Sequence, residues 1–204
     1  MSRDDLAARR GVETHVYQPA EDSALLARAA VDAVTADDRV LDVGTGSGWV
    51  AARVASETGA SVVASDLNPH ACREARERAR TLEADDGVGF AVVAADLVSP
   101  FRADVFDVVL FNPPYLPTDP DNAWDDWMER ALSGGESGRD VIEPFLDGVG
   151  RVLAPGGRVL LLVSSLTSYE TVLDYAHERG FATETAVEES YPFETLTVVS
   201  MAVT

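Results

Sequence analysis

Short apolar runs alternate with segments of helical periodicity along the chain. The runs at 39–43, 61–65, 88–94, 105–111 and 157–163 are rich in Val, Leu, Ala and Phe and are bounded by Gly, Pro, Asp or Asn. Each reads as a buried strand. Helical spacing of apolar residues at about 49–57, 69–83, 141–153 and 168–179 predicts helices between them. Strands alternating with helices in this way imply a mostly parallel sheet covered on both faces, doubly wound by right-handed crossovers. The last two apolar runs, 181–187 and 195–203, are joined by residues 188–194 with Pro192 among them. That connection is too short for a helical crossover, so the pair should be antiparallel. The expected fold class is α/β: a seven-stranded, Rossmann-like, mostly parallel sheet with an antiparallel C-terminal strand and helices on both faces. Residues 116–138, rich in Pro, Asp, Gly and Trp, fit neither pattern. They read as a substrate lid or a plain surface excursion, with the roles of Trp124 and Trp127 open.

Composition sharpens this. At 204 residues the chain is expected to form one domain, with 1–35 as an N-terminal segment and helix and 36–204 as the core. Asp plus Glu number 35 against 16 basic residues, every one of them Arg, for a formal charge of -19. The acids are spread over nearly every segment, a pattern that resembles proteins of extreme halophiles. An acidic surface argues against nucleic acid as a partner, although a halophilic background weakens that inference. Cys72 is the sole cysteine, so an intrachain disulfide and a cysteine-built zinc site are excluded. His15, His70 and His177 show no metal-ligand spacing, and no metal site is expected. No stretch approaches a membrane span and the N-terminus lacks an apolar leader, so the expected location is the cytoplasm.

Candidate chemistry begins at Val40-Leu41-Asp42-Val43-Gly44-Thr45-Gly46-Ser47-Gly48-Trp49. A strand ends, glycines permit a tight turn and a close backbone approach, and a helix begins. The dinucleotide pattern would need Gly at position 49, which is Trp. Asp42 just before the turn would repel a pyrophosphate but attract the ammonium and sulfonium charges of S-adenosylmethionine. It could also serve only the amides of its own turn. Asp66, about 20 residues past the glycines and followed by Leu67, is placed to accept from ribose hydroxyls. In Ala94-Ala95-Asp96-Leu97 the acid could accept from an adenine amine while Leu97 packs on the ring. Each Asp has an alternative as a helix cap. Together they mark the C-terminal ends of three successive strands, where open α/β sheets bind ligands.

The fourth strand runs into Asn112-Pro113-Pro114-Tyr115. Two prolines stiffen the turn and remove two backbone donors. The Asn112 side-chain oxygen and the Pro113 carbonyl can then grip the two hydrogens of a planar NH2 group, while Tyr115 offers a face to stack on. An amide nitrogen is a weak nucleophile, so polarising acceptors and in-line placement matter more than a strong base. By itself such a stretch could be only a Pro-rich turn.

With the Gly turn, Asp66 and Asp96 before it, Asn112-Pro113-Pro114-Tyr115 resembles the HemK-type glutamine methyltransferases, which modify the Gln of Gly-Gly-Gln in translation release factors. The resemblance covers about Val16 to the C-terminus. It includes Val16-Tyr17-Gln18-Pro19-Ala20-Glu21-Asp22-Ser23, and implies that Ser23 lies near the cofactor. From sequence alone Asp22-Ser23 could also be an N-cap pair. The closing antiparallel hairpin is likewise that of class I methyltransferases. Only about 35 residues precede the first strand, which resembles the short archaeal and eukaryotic branch whose members pair with a small zinc-binding activator. In this fold the third strand lies at a sheet edge. Here it reads Val88-Gly89-Phe90-Ala91-Val92-Val93-Ala94, without a charge or proline to guard it, and Phe90 and Val92 are the expected contacts of that activator. The same four-residue motif occurs in adenine-N6 methyltransferases of DNA or RNA. This chain shows no basic stripe, and Arg73, Arg76, Arg78 and Arg80 are interleaved with Glu74, Glu77 and Glu83. Lysine methylation, a cofactor-binding scaffold without activity and a dehydrogenase are the remaining alternatives, the last disfavoured by the glycine spacing and Asp42.

Overall fold

The computed structural model describes residues 16–117 and 127–204. Seven strands form one sheet: β1 (Arg39–Val43), β2 (Ser61–Asp66), β3 (Ala91–Ala94), β4 (Phe106–Phe111), β5 (Leu153–Ser164), β6 (Phe181–Ser190) and β7 (Thr195–Val203). Their order is β3-β2-β1-β4-β5-β7-β6. The first five run parallel, and β7 is antiparallel to both β5 and β6. The expected fold class holds, including the antiparallel close.

Alternation along the strands builds two cores. Val40, Val62, Ala64, Val108, Leu110, Leu160 and Leu162 face one layer. Their neighbours Leu41, Val43, Val109, Phe111, Val159 and Leu161 face the other. Both sets are buried, which is why these strands read as continuous apolar runs. On the first face lie α1 (Glu21–Ala33), α2 (Trp49–Thr58) and α3 (Pro69–Asp86); on the second lie α5 (Ile142–Val149) and α6 (Tyr169–Glu178). A short helix α4 (Trp127–Leu132) precedes α5.

Local chemistry sets the helix ends. Asn68 caps α3 by accepting from the His70 N–H, and Pro69 takes the first helical position. Glycines in left-handed conformation, Gly59 and Gly87, close α2 and α3. α1 begins after Ala20 with no side-chain cap, so Asp22 and Ser23 sit in its first turn and are not an N-cap pair.

Several boundaries differ from the sequence expectation, including that of β6, which runs on to Ser190. The helix expected over 141–153 ends at Val149, and β5 begins at Leu153, ahead of the apolar run at 157–163. Within 116–138, residues 127–132 are helical; Trp124 lies outside the described residues. The edge strand β3 pairs only over Ala91–Ala94. Val88 and Phe90 pack back onto the first core, and Arg76 of α3 reaches the Val92 carbonyl at 3.5 Å. The edge is thus shorter and better guarded than the run at 88–94 suggested. Arg78 likewise donates to a backbone carbonyl, that of Ser47 at 2.8 Å, so two of the four clustered arginines serve the fold. Among the described residues no helix is long and apolar enough to cross a membrane, and no cluster of His, Cys, Asp and Glu has the makings of a metal site.

Candidate active site

β1 and β4 end level, with Val43 paired to Phe111. The glycine turn and the Asn112 segment therefore emerge side by side where the strand order reverses, the usual ligand crevice of such sheets. A cavity of about 640 Å³ opens between them. Asp42, the Gly44–Gly46 turn, the Asp66–Leu67 and Asp96–Leu97 pairs, Asn112 through Tyr115, and Ser23 all line it.

Gly48 does not, contrary to the expected cofactor contact. All three glycines of the turn are left-handed, at φ +61° for Gly44, +56° for Gly46 and +76° for Gly48. A Cβ on Gly44 would meet the Phe111 ring at 3.3 Å; one on Gly48 would lie 3.0 Å from Ala75 and 3.1 Å from Phe90. Gly48 thus lets α2 pack on α3, whereas Gly46 keeps the backbone open to the cavity and donates its N–H to Asp66 Oδ2 at 2.9 Å.

Asp42 is 2% exposed. Burial pushes its carboxyl up to about 7, against the Thr45 hydroxyl and the Ala51 backbone, while nearby Asp66 adds to the rise. Thr45 Oγ1 donates to Asp42 Oδ2 at 2.5 Å, so the turn does serve its own carboxylate, through a side chain. Asp66 is also raised by burial, offset by the Asn68, Gly46 and Leu67 amides. Its Oδ1 accepts from Asn68 N at 2.8 Å. Each oxygen keeps a lone pair for a further donor. Leu67, 57% exposed, and Leu97, which adopts a left-handed backbone at φ +48°, both line the cavity.

At the other end, Asn112 Nδ2 donates to Ser23 Oγ at 3.5 Å. Asn112 Oδ1 is the one buried side-chain polar atom among the described residues that lacks a partner. A buried, unpaired acceptor costs stability and implies a donor supplied from outside. Tyr115 is buried in the first core and lines the cavity. Burial, then the charges of Asp22 and Glu194, push its phenol far above the usual range; it stays protonated and cannot act as a base.

Sequence reasoning missed Thr45 as the partner of Asp42, and Tyr17 and Asp22 as parts of the wall. Trp127, whose role the sequence left open, lines the cavity from α4 together with Arg130, which sequence reasoning missed; the Arg130 guanidinium lies 5.3 Å from the Trp127 ring centre. Leu116 N–H bonds to the Leu132 carbonyl, which brings α4 back over the site.

The cavity of about 640 Å³ combines carboxylates, an exposed Leu67 with a half-buried Leu97, and an orphaned amide oxygen. That donor set fits a cationic nucleoside cofactor such as S-adenosylmethionine. Comparison with known proteins agrees. The model of the methyltransferase small domain family matches residues 20–195. A candidate protein N5-glutamine methyltransferase of Methanocaldococcus jannaschii is 36% identical over 91% of this chain and 90% of its own length. Methyltransferase HEMK2 of Homo sapiens is 34% identical over 93% and 91%. Among solved structures, the E. cuniculi Mtq2–Trm112 complex, described as responsible for methylation of the eRF1 translation termination factor, superposes with a TM-score of 0.74. Its identity is 29%, over 94% of this chain and all of that one. The chain belongs to the methyltransferase small domain family, beside HEMK2 and the N5-glutamine methyltransferases, and is an S-adenosylmethionine-dependent methyltransferase.

Proposed function

We propose that the enzyme methylates the side-chain amide nitrogen of Gln in the Gly-Gly-Gln motif of a translation release factor. One observation carries the reading: a buried amide oxygen, Asn112 Oδ1, without a partner, beside a cavity suited to the cofactor. When bound, S-adenosylmethionine supplies an electrophilic methyl group. Asp42 and the Gly44–Gly46 turn hold its charged amino-acid end, Asp66 its ribose, and Asp96, Leu67 and Leu97 its adenine. Asn112 Oδ1 and the Pro113 carbonyl take the two hydrogens of the substrate amide. Those contacts orient the nitrogen and strengthen as positive charge develops on it. Pro114 stiffens the turn, and Tyr115 walls the site as a neutral phenol.

The same reading takes 1–204 as a single domain with 1–35 as the cofactor-covering segment, of which residues 1–15 lie outside the described residues, and 36–204 carrying catalysis. Tyr17, Pro19, Asp22 and Ser23 at the cavity support it. A small zinc-binding activator is proposed to dock at the β3 edge, near Phe90 and Val92, where a shallow depression of about 180 Å³ lies between α3 and the strand. We further take the enzyme to work in the cytoplasm of a halophile, on the strength of its composition.

The test is methyl transfer to a release factor carrying Gly-Gly-Gln, in molar salt, with and without the activator, with the product peptide mapped by mass spectrometry. Methylation of that Gln, reduced about 100-fold or more in Asn112→Ala, is expected. Transfer to adenine in DNA or RNA instead would overturn the protein substrate.

A further inference from the structure

An Asn side chain has two ends of nearly equal shape and opposite chemistry. Catalysis as read above needs the oxygen of Asn112 facing the substrate. With the amide turned over, its NH2 would confront the substrate NH2, donor against donor. Nothing in the Pro-Pro turn chooses between the two.

We propose that Asp22 and Ser23 are positioning residues that hold the Asn112 amide in its productive orientation. The proposal rests on the reading of Asn112 as the acceptor of the substrate amide. Both residues are buried in the first turn of α1, at 5% and 7% exposure. Asp22 Oδ1 accepts from the Ser23 backbone N–H at 2.6 Å and from Ser23 Oγ at 3.2 Å. Asp22 Oδ2 accepts from the Tyr17 hydroxyl at 3.2 Å. A hydroxyl has one proton to give, and that of Ser23 is committed to the carboxylate. Toward Asn112, Ser23 Oγ therefore presents only lone pairs, and it receives Nδ2 at 3.5 Å. A bond this long is weak in itself, but the selection does not depend on its strength. Turning the amide would put Oδ1 against an oxygen that has no proton left. To accommodate it, Ser23 would have to exchange its charge-assisted bond to Asp22 for a neutral one, roughly half as strong. The oxygen is thereby left without a partner, on a residue that lines the cavity. Ser23, expected from sequence to lie near the cofactor, thus acts through Asn112, and Asp22 acts through Ser23.

The chain holds three asparagines, at 68, 112 and 122, so asparagine-selective 15N labelling gives three side-chain NH2 pairs, and Asn112→Ala identifies the relevant one. In Ser23→Ala the Asn112 NH2 protons should exchange with solvent about five- to tenfold faster, with Ser23→Thr restoring the wild-type rate. In the methylation assay Ser23→Ala should lower kcat by a similar factor, and Ser23→Thr should restore it. Placed on Asn112→Ala, Ser23→Ala should cause no further loss, because the group that Ser23 positions is gone. Equal exchange in wild type and Ser23→Ala, or losses that multiply in the double variant, would refute the assignment. If wild type leaves the Gly-Gly-Gln glutamine unmodified, the substrate reading fails, and the exchange experiment decides the positioning role by itself.

Discussion

Asp42 shows how one residue can carry both a cost and a function. Its ordinary value of 3.8 is pushed up to about 7 by burial. A carboxyl raised on folding contributes stability that is full below its unfolded value and is lost as pH rises through the folded one. Near neutrality the ligand-free protein therefore holds Asp42 at the edge of ionisation, and a bound cation favours the carboxylate. Affinity for S-adenosylmethionine should strengthen as pH rises from about 6 to 8 and level off above, by up to roughly tenfold per pH unit on the acid side. Binding at pH 7 should also release a fraction of a proton, measurable by calorimetry in buffers of different ionisation enthalpy. Asp42→Asn should remove both effects. A wild-type dissociation constant that is flat across this range would show that the cation does not contact Asp42.

At the level of elements, most of the fold was legible because burial on both faces makes these strands continuous apolar runs, and the period changes cleanly to that of helices. The site was legible where one short segment carried a whole chemical unit, as in Asp42 through Gly46 or Asn112 through Tyr115. What escaped depends on partners distant in sequence. Nothing local to Phe90 says that it turns back onto Gly48, some forty residues earlier, and so leaves β3 only from Ala91. The Asp22–Ser23 pair resembles a helix cap until the fold sets it beside Asn112. The α4 helix was hidden in a Pro- and Asp-rich stretch, and its place at the cavity depends on the distant bond between Leu116 N–H and the Leu132 carbonyl. The glycine turn divides in the same way, and the division can be measured. Gly48→Ala combines left-handed strain with contact at 3.0 Å to Ala75, so it should destabilise by about 3 kcal/mol, lowering Tm by roughly 6–12 °C. Its folded fraction should bind cofactor normally. Gly46→Ala meets only the Tyr17 carbonyl at 3.7 Å and should lose about 1 kcal/mol of stability, yet bind S-adenosylmethionine at least about tenfold more weakly. The reverse ranking would place Gly48 at the cofactor after all.

Two properties belong to the molecule as a whole, its open sheet edge and its charge. Charged residues at Phe90 would disturb Gly48 as well as any partner, so Val92, half-buried on β3 itself, is the cleaner probe of the edge. Val92→Asp should prevent co-purification with the zinc-binding activator while shifting the Tm of the isolated chain by only a few degrees; retained complex would move the docking site elsewhere. The charge of -19 acts on every element at once. The observed ion pairs are mostly surface pairs such as Arg28–Glu189 at 2.6 Å and Arg53–Glu57 at 2.6 Å, and such pairs contribute at most about 1 kcal/mol each. With 35 acids against 16 arginines, repulsion exceeds what they offset. Raising salt shortens the screening length from about 10 Å at 0.1 M to about 3 Å at 1 M. Salt weakens the few attractive pairs too, but the more numerous repulsive ones weaken together with them, so the balance favours the folded state. Tm should therefore climb by more than about 5 °C from about 0.1 M to 1 M KCl, with most of the gain in the lower half of that range, where screening changes fastest. Further gain toward several molar would come from ion exclusion and should depend on the identity of the anion. A Tm that is flat or falls between 0.1 M and 1 M would mean that the acidic surface carries no net repulsion, and would remove the physical basis for reading the composition as halophilic.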